Sequence, residues 1–288
     1  MSNEAIAIGL VLLSALFNAG MNSFHIKAHD KLIFRSVLAL FSGSLCLPML
    51  FFVAVPDASL WVFLLGSTAI HMGYHVVLAN SYRLTDLSLA HPLARGIGAG
   101  LTGIGAFLTL NETMSVLQWL GLALTGGGIV AFAWDGRAAK ANALGLLFSV
   151  LTGFFIAAYT LVDATGVRSA ADVGQAALSY IMWFMVLEGF GGFLTIFIWA
   201  GPRKYIAAAQ RDFKGAFGAA IGAVITYTLA LYAYTFSAHT APLAALRESS
   251  AIFTAIIGTM LLGEGFGRRR VIAAIVVVTG LVLMQRLG

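Results

Sequence analysis

Two arginines, Arg95 in AHPLARGIGAG and Arg247 in LAALRESS, stand inside runs of apolar and small residues. A planar guanidinium can hold a carboxylate or phosphate through two parallel hydrogen bonds. The chemistry open to these residues is therefore recognition of an anionic or zwitterionic ligand, or a buried ion pair that only holds helices together. Glu248, next to Arg247, and Glu188 in VLEGFGG are the candidate counter-charges, and Glu188 is equally a candidate coupling residue. Neutral polar groups accompany them at helical spacing: Ser14, Asn18, Asn22 and His25 form one stripe, and His71, Tyr74 and His75 another. His71 and His75 have the spacing of a metal pair. No Asp, Glu or Cys joins them on that segment, so cavity lining or interhelical hydrogen bonding is expected and metal is not. No Gly-x-Ser-x-Gly, His-Glu-x-x-His or Cys-x-x-Cys occurs, and the carboxylates suggest no acid/base pair. Neither an enzyme nor a bound cofactor is expected.

The elements that position these groups follow from composition. Of 288 residues 60% are apolar and only 10% charged, and apolar runs recur at the length that crosses a bilayer, roughly 17–25 residues. Ten such spans can be marked: 4–26, 32–55, 60–82, 87–110, 115–134, 141–162, 176–200, 213–236, 241–262 and 271–287. The joins have turn or charge character, as in KAHDK, LNETM, WDGRAAK, DATGVRSAAD, GPRK and GEGFGRRR, and none is long enough for a soluble domain. The first segment begins Met-Ser-Asn-Glu and has no basic n-region, so it reads as a spanning helix and not as a signal peptide. Cys46, the single cysteine, has no partner for a disulfide. The formal charge of +5 is scattered over short loops, which argues against nucleic-acid binding.

The chain repeats itself at an offset of 152 residues: Arg95 falls on Arg247, Tyr82 on Tyr234, Glu112 on Glu264 and Gly128 on Gly280, with Pro92 and Pro242 two residues out of step. Five spans per repeat oblige the second half to insert upside down. The expected fold is therefore an all-α integral membrane protein of ten transmembrane helices in two inverted five-helix repeats, residues 1–136 and 137–288. Leaving Arg95 and Arg247 aside, the odd-numbered connections carry thirteen basic residues (Arg35 counted among them) and the other side only Arg168 and Arg286, which puts both termini outside. Glycines crowd the fourth and fifth spans, as Gly96, Gly98, Gly100, Gly103 and Gly105, then Gly121 and Gly126–Gly128, and predict close helix packing. Pro92 and Pro242 are expected in the first turns of their helices.

The paired segments PLARG, LNE and LQWLGLALTGGGIV, then PLAALRESS, LLGE and VIAAIVVVTGLVL, resemble the drug/metabolite transporter superfamily in its EamA-like branch, over nearly the whole chain. NAGMN, HMGYHVVLANSYRLTDLSLAHPLARG, AAYTLVDATGVR and LRESS are closest to a subgroup that includes phosphonate-utilisation-associated membrane proteins. The resemblance implies a secondary carrier of a bacterial inner membrane. Its first, third, fourth, sixth, eighth and ninth helices would enclose a cavity, with Arg95, Arg247, Glu248, Tyr74, His71, Asn22 and Tyr159 as candidate lining residues. Small-multidrug-resistance relatives carry a first-helix glutamate that exchanges protons for cationic drugs; here that helix has Asn18 and Asn22 and only Glu4 at its mouth, which disfavours such an antiporter. Many members of the superfamily keep both termini in the cytoplasm, opposite to the charge count.

The function expected on these grounds is alternating-access movement of a small polar, anionic or zwitterionic metabolite, with a proton or other ion as a possible partner. The alternatives are a flippase or carrier for a lipid-linked substrate, and a non-transporting membrane assembly partner.

Overall fold

A computed structural model describes residues 2–26, 28–85, 87–133, 142–250, 252–253 and 268–285. The join at 134–141 with its repeat boundary, the ninth span beyond Phe253, Glu264 and Arg286 lie outside the described residues, as do the side chains of His25 and Arg268–Arg270.

All regular structure among these residues is helical: α1 (Asn3–Ile26), α2 (Lys31–Cys46), α3 (Trp61–Leu84), α4 (Leu87–Thr109), α5 (Val116–Ala133), α6 (Ala143–Asp172), α7 (Ala177–Ala200), α8 (Pro202–Ala233), α9 (Thr240–Arg247) and α10 (Arg268–Gln285). Among the described residues, six stretches are long and apolar enough to cross a membrane: 3–22, 31–51, 58–84, 143–172, 177–200 and 202–233. Residues 116–131 and 271–285 form shorter apolar helices.

Several element ends differ from the sequence expectation, each for a local reason. The second span is not one helix: α2 gives way to 3₁₀ turns over Leu47–Phe51, where Pro48 has no N–H to continue the ladder. DATGVRSAAD is not a join but the last part of the 30-residue α6, which stops before Gly174, whose φ is +74°. The loop expected at GPRK shrinks to Gly201 alone. Gly201, at φ +80°, reverses the chain, and Pro202 starts α8 as its first residue. At 32 residues α8 is about 48 Å long, more than a bilayer's hydrocarbon core requires. Its charged first part is tied to the α1–α2 join by Asp212, which accepts from the His29 backbone N–H at 3.1 Å, and by a Lys204–Asp30 pair at 3.1 Å. Pro92 lies inside α4 and not in its first turn, because the helix already begins at Leu87; Pro242 is in the first turn of α9.

The helices sort into two compact units: residues 1–76 with 162–236, and residues 77–161 with 237–288. Each unit takes parts of residues 1–136 and of residues 137–288.

In the first unit α1 packs on α8, α2 on both α7 and α8, and α7 on α8. Ser14 Oγ donates to the Thr226 carbonyl at 2.7 Å, a bond between α1 and α8. Where α2 crosses α7, a Cβ on Gly189 would lie 2.6 Å from the Ala39 carbonyl oxygen and 2.8 Å from Gly43 Cα, so only glycine permits the approach. Trp61 and Trp183 meet edge to face and donate to the carbonyls of Pro56 and Ala54, in the manner of interfacial aromatics. Asp57 caps the turn before α3; the backbone N–H and then the hydroxyl of Ser59 hold its carboxyl below the usual range.

In the second unit α5 packs along α10 and against α4, and α4 packs on α9. Most of the glycines expected at helix contacts are found there. A Cβ on Gly96 would fall 2.6 Å from the Gly126 carbonyl oxygen, and one on Gly121 would fall 2.6 Å from that of Gly280. Gly100 and Gly127 face open space.

Candidate functional site

Arg95 reaches its place from the third turn of α4, with Ala94 buried on one side and Gly96 in backbone contact with α5 on the other. The approach of α5 at Gly126 and of α6 at Gly153, each permitted by a missing side chain, fixes this part of α4. The Arg95 guanidinium donates from Nε to Oε2 of Glu248 and from Nη2 to Oε1, the latter at 2.9 Å. Glu248 is 5% exposed, so this two-pronged pair is largely out of solvent.

Glu248 owes its position to a break in the helix. The ninth span runs regularly from Thr240 only to Arg247, and the Glu248 and Ser249 amides bond to the carbonyls of Ala245 and Leu246, three residues back. Glu248, Ser249 and Ser250 are all buried. Ser249 Oγ is buried with no hydrogen-bond partner among the described residues. Arg247, half-buried, ends the regular helix, where a cation is favoured by the helix dipole. At its other end α9 starts on a borrowed cap: the Glu112 carboxylate accepts from the Thr240 N–H at 2.7 Å and 2.8 Å and from the Ala241 N–H at 3.3 Å. Tyr159, on α6, is buried within the same unit.

The other four candidates belong to the first unit. Glu188 of α7 has His75 as its partner, through Nε2 to Oε1 at 3.2 Å. One turn earlier on α3, His71 Nδ1 donates to the Ser67 carbonyl at 2.9 Å. Tyr74 is buried, and the Arg35 guanidinium sits over its ring, 5.2 Å from the centroid. Asn22 donates to Asn18 at 2.9 Å along α1. Arg35 corrects its assignment to a charged loop: α2 begins at Lys31, so Arg35 is one turn inside the helix, half-buried and near enough to act electrostatically on Glu188. Arg168 is likewise helical, donating to the Tyr234 carbonyl at 3.0 Å and lying over the Tyr234 ring.

The eight expected residues thus form two sets, Arg95, Arg247, Glu248 and Tyr159 in one unit and Asn22, His71, Tyr74 and Glu188 in the other. The structure adds a group that the sequence reading did not name as a site. Asp163 of α6 is 1% exposed and accepts hydrogen bonds from Ser67 Oγ and, at 2.6 Å, from the Tyr227 hydroxyl. A carboxylate in the middle of the apolar run FFIAAYTLVDATG was the available signal.

No family model matches the chain, and no curated protein matches it. A solved structure described only as "Crystal structure of protein" is similar over 99% of this chain and 99% of its own, at TM-score 0.70 and 14% identity. That likeness concerns the fold alone.

Proposed function

We propose that this chain is a secondary transporter that moves a small anionic or zwitterionic metabolite across a bacterial cytoplasmic membrane by alternating access, on the ten-span, inverted-repeat plan of EamA-like carriers. The observation that carries this reading is the helix break at Glu248–Ser249, placed where Glu248 holds Arg95. Irregular backbone at membrane depth is tolerated only where protein buries it or a cavity receives it, and broken helices are where carriers build ion and substrate sites. A buried hydroxyl left unbonded costs about 1–3 kcal/mol, and the Ser249 hydroxyl would gain a partner in a ligand oxygen. In the empty site Glu248 satisfies Arg95. An anion competing for Arg95, with Arg247 as the second cation and Tyr159 as a selecting group, displaces Glu248 and so couples binding to a change of state. In the first unit Asn22 and Tyr74 are the candidate selecting groups, and His71 and Glu188 the candidate coupling groups.

The test is thermal stabilisation of the purified chain by inorganic phosphate, methylphosphonate, glutamate and glycine, with choline as the cationic control. A ligand at a hundredfold excess over its Kd adds about 2.7 kcal/mol. The reading expects at least one anion or zwitterion to raise the melting temperature of wild type and a folded Arg247→Gln variant to lose that response. Unfolding of the variant with no ligand response in wild type would favour a purely structural role for the arginines.

A second reading, a carrier of a lipid-linked substrate, is favoured by the apolar groove between α1 and α8 lined by Leu16, Phe17, Gly20, Met21, Phe24, Gly218 and Gly222. It predicts stabilisation by an anionic lipid and none by the short-chain anions.

A further inference from the structure

The interior of the first unit holds a chain of hydrogen bonds that links a carboxylate to an imidazole through a phenol. A carbonyl can only accept, so the His71 Nδ1 contact with the Ser67 carbonyl assigns the ring's resident proton to Nδ1. Nε2 is then the atom that gains or loses a second proton, and it lies 3.4 Å from the Tyr227 hydroxyl. That hydroxyl also reaches Asp163 Oδ2 at 2.6 Å, while Ser67 Oγ donates to Oδ1. Tyr227 therefore stands between a base and a carboxylate, each able to accept its hydrogen. Phe184 stacks on the Tyr227 ring at 5.3 Å and lies against His71, which holds both in place. Asp163 is 1% and His71 5% exposed.

We propose that Asp163, Tyr227 and His71 form a proton-binding relay that serves as the coupling-ion site of the carrier, a role that rests on the transporter reading although proton binding itself does not. A proton arriving on His71 makes an imidazolium beside a carboxylate. The Nε2–H bond then breaks, its proton passes to the Tyr227 oxygen, and the proton that Tyr227 carried passes to Asp163 Oδ2. The tyrosine is regenerated, and imidazolium plus carboxylate become imidazole plus carboxylic acid with no change in total charge. Both groups are neutral in that loaded form, the arrangement that burial favours. Loaded and unloaded forms differ by one charge in an apolar bundle, so they differ in the cost of exposing or burying this site.

The charged and titratable groups facing the relay come from four helices. Arg35 projects from α2, Tyr74 and His75 lie on α3 beside His71, Tyr180 and Glu188 face it from α7, and Tyr227 itself comes from α8. His75 is already engaged with Glu188, and its Nδ1 is buried with no hydrogen-bond partner among the described residues.

The experiment is infrared difference spectroscopy of the full-length chain in detergent, acidified from about pH 8 to about pH 5, the range in which imidazole chemistry operates. Wild type should develop the carbonyl stretch of a protonated carboxylic acid. Aspartate labelled with carbon-13 at the carboxyl should move that band, Asp163→Asn should abolish it, and Glu4→Gln and Asp57→Asn should keep it. Tyr227→Phe retains the ring stacked on Phe184 but removes the bridge, and should shift the band's midpoint by about one pH unit or more. If Asp163→Asn fails to fold, the labelled wild type and Tyr227→Phe decide the matter. The relay is overturned if no acid band titrates, if labelled aspartate leaves it unmoved, if it survives in folded Asp163→Asn, or if Tyr227→Phe leaves its midpoint in place. Any of these results alongside an intact anion response would remove the relay and leave the carrier standing.

Discussion

The guanidinium of Arg95 and the carboxylate of Glu248 are joined by two hydrogen bonds although 153 residues separate them in the chain, and one partner lies at a break in its helix. Removing one member of a buried pair leaves the other uncompensated, at a cost of about 3–5 kcal/mol, whereas replacing both with apolar groups is often neutral. Arg95→Gln and Glu248→Gln should each lower stability by that order. Arg95→Met with Glu248→Leu should lose much less than the two single losses added together. Thermal unfolding of the four proteins in one detergent gives the coupling directly.

Glu112 stands outside the sequence of α9 and yet caps it, accepting from the amides of Thr240 and Ala241. The carboxylate both satisfies donors that no helix carbonyl can reach and sits at the positive end of the helix. Glu112→Gln should cost about 1–2 kcal/mol. Amide hydrogen exchange should show the loss first at the start of α9, with faster exchange at Ala241, before α1 or α8 is affected.

A glycine contact can be tested against a glycine that touches nothing. A methyl on Gly121 would meet the Gly280 carbonyl oxygen at 2.6 Å, and one on Gly280 would meet Thr125 Oγ1 at 2.5 Å, so α5 and α10 would have to separate. Gly121→Ala and Gly280→Ala should each destabilise by about 1–3 kcal/mol, the usual range for overpacking. Gly127→Ala, one face away on the same helix with open space around it, should be neutral or slightly stabilising. Melting temperatures in detergent read all three.

Much of the helix pattern was legible because the bilayer length rule acts on the sequence directly: most of the ten expected spans have a counterpart helix within a few residues. The failures are at ends where turn chemistry and helix propensity compete. DATGVRSAAD looked like a loop because it is polar, but it has no residue that stops a helix before Gly174. GPRK looked like a join because of its charges, although Pro202 is a good first residue for α8. The arginine pair was half legible. The expected repeat singled out Arg95 and Arg247, with Glu188 and Glu248 as counter-charges for either, and only the fold shows Glu248 reaching Arg95 and Glu188 reaching His75. Asp163 and Tyr227 lie 64 residues apart on different helices, and no local spacing announces that they meet. Arg35 was misplaced because counting charge by loop ignores where a helix begins.

Uptake of the stabilising anion into proteoliposomes is the most direct measurement of the central claim, made on wild type, Arg247→Gln and the surface control Lys204→Gln. The account predicts saturable uptake by wild type and Lys204→Gln, and at least a tenfold loss, about 1.4 kcal/mol, in a folded Arg247→Gln. Uptake undiminished in Arg247→Gln, or absent in a wild-type protein that is folded and binds the anion, would contradict it.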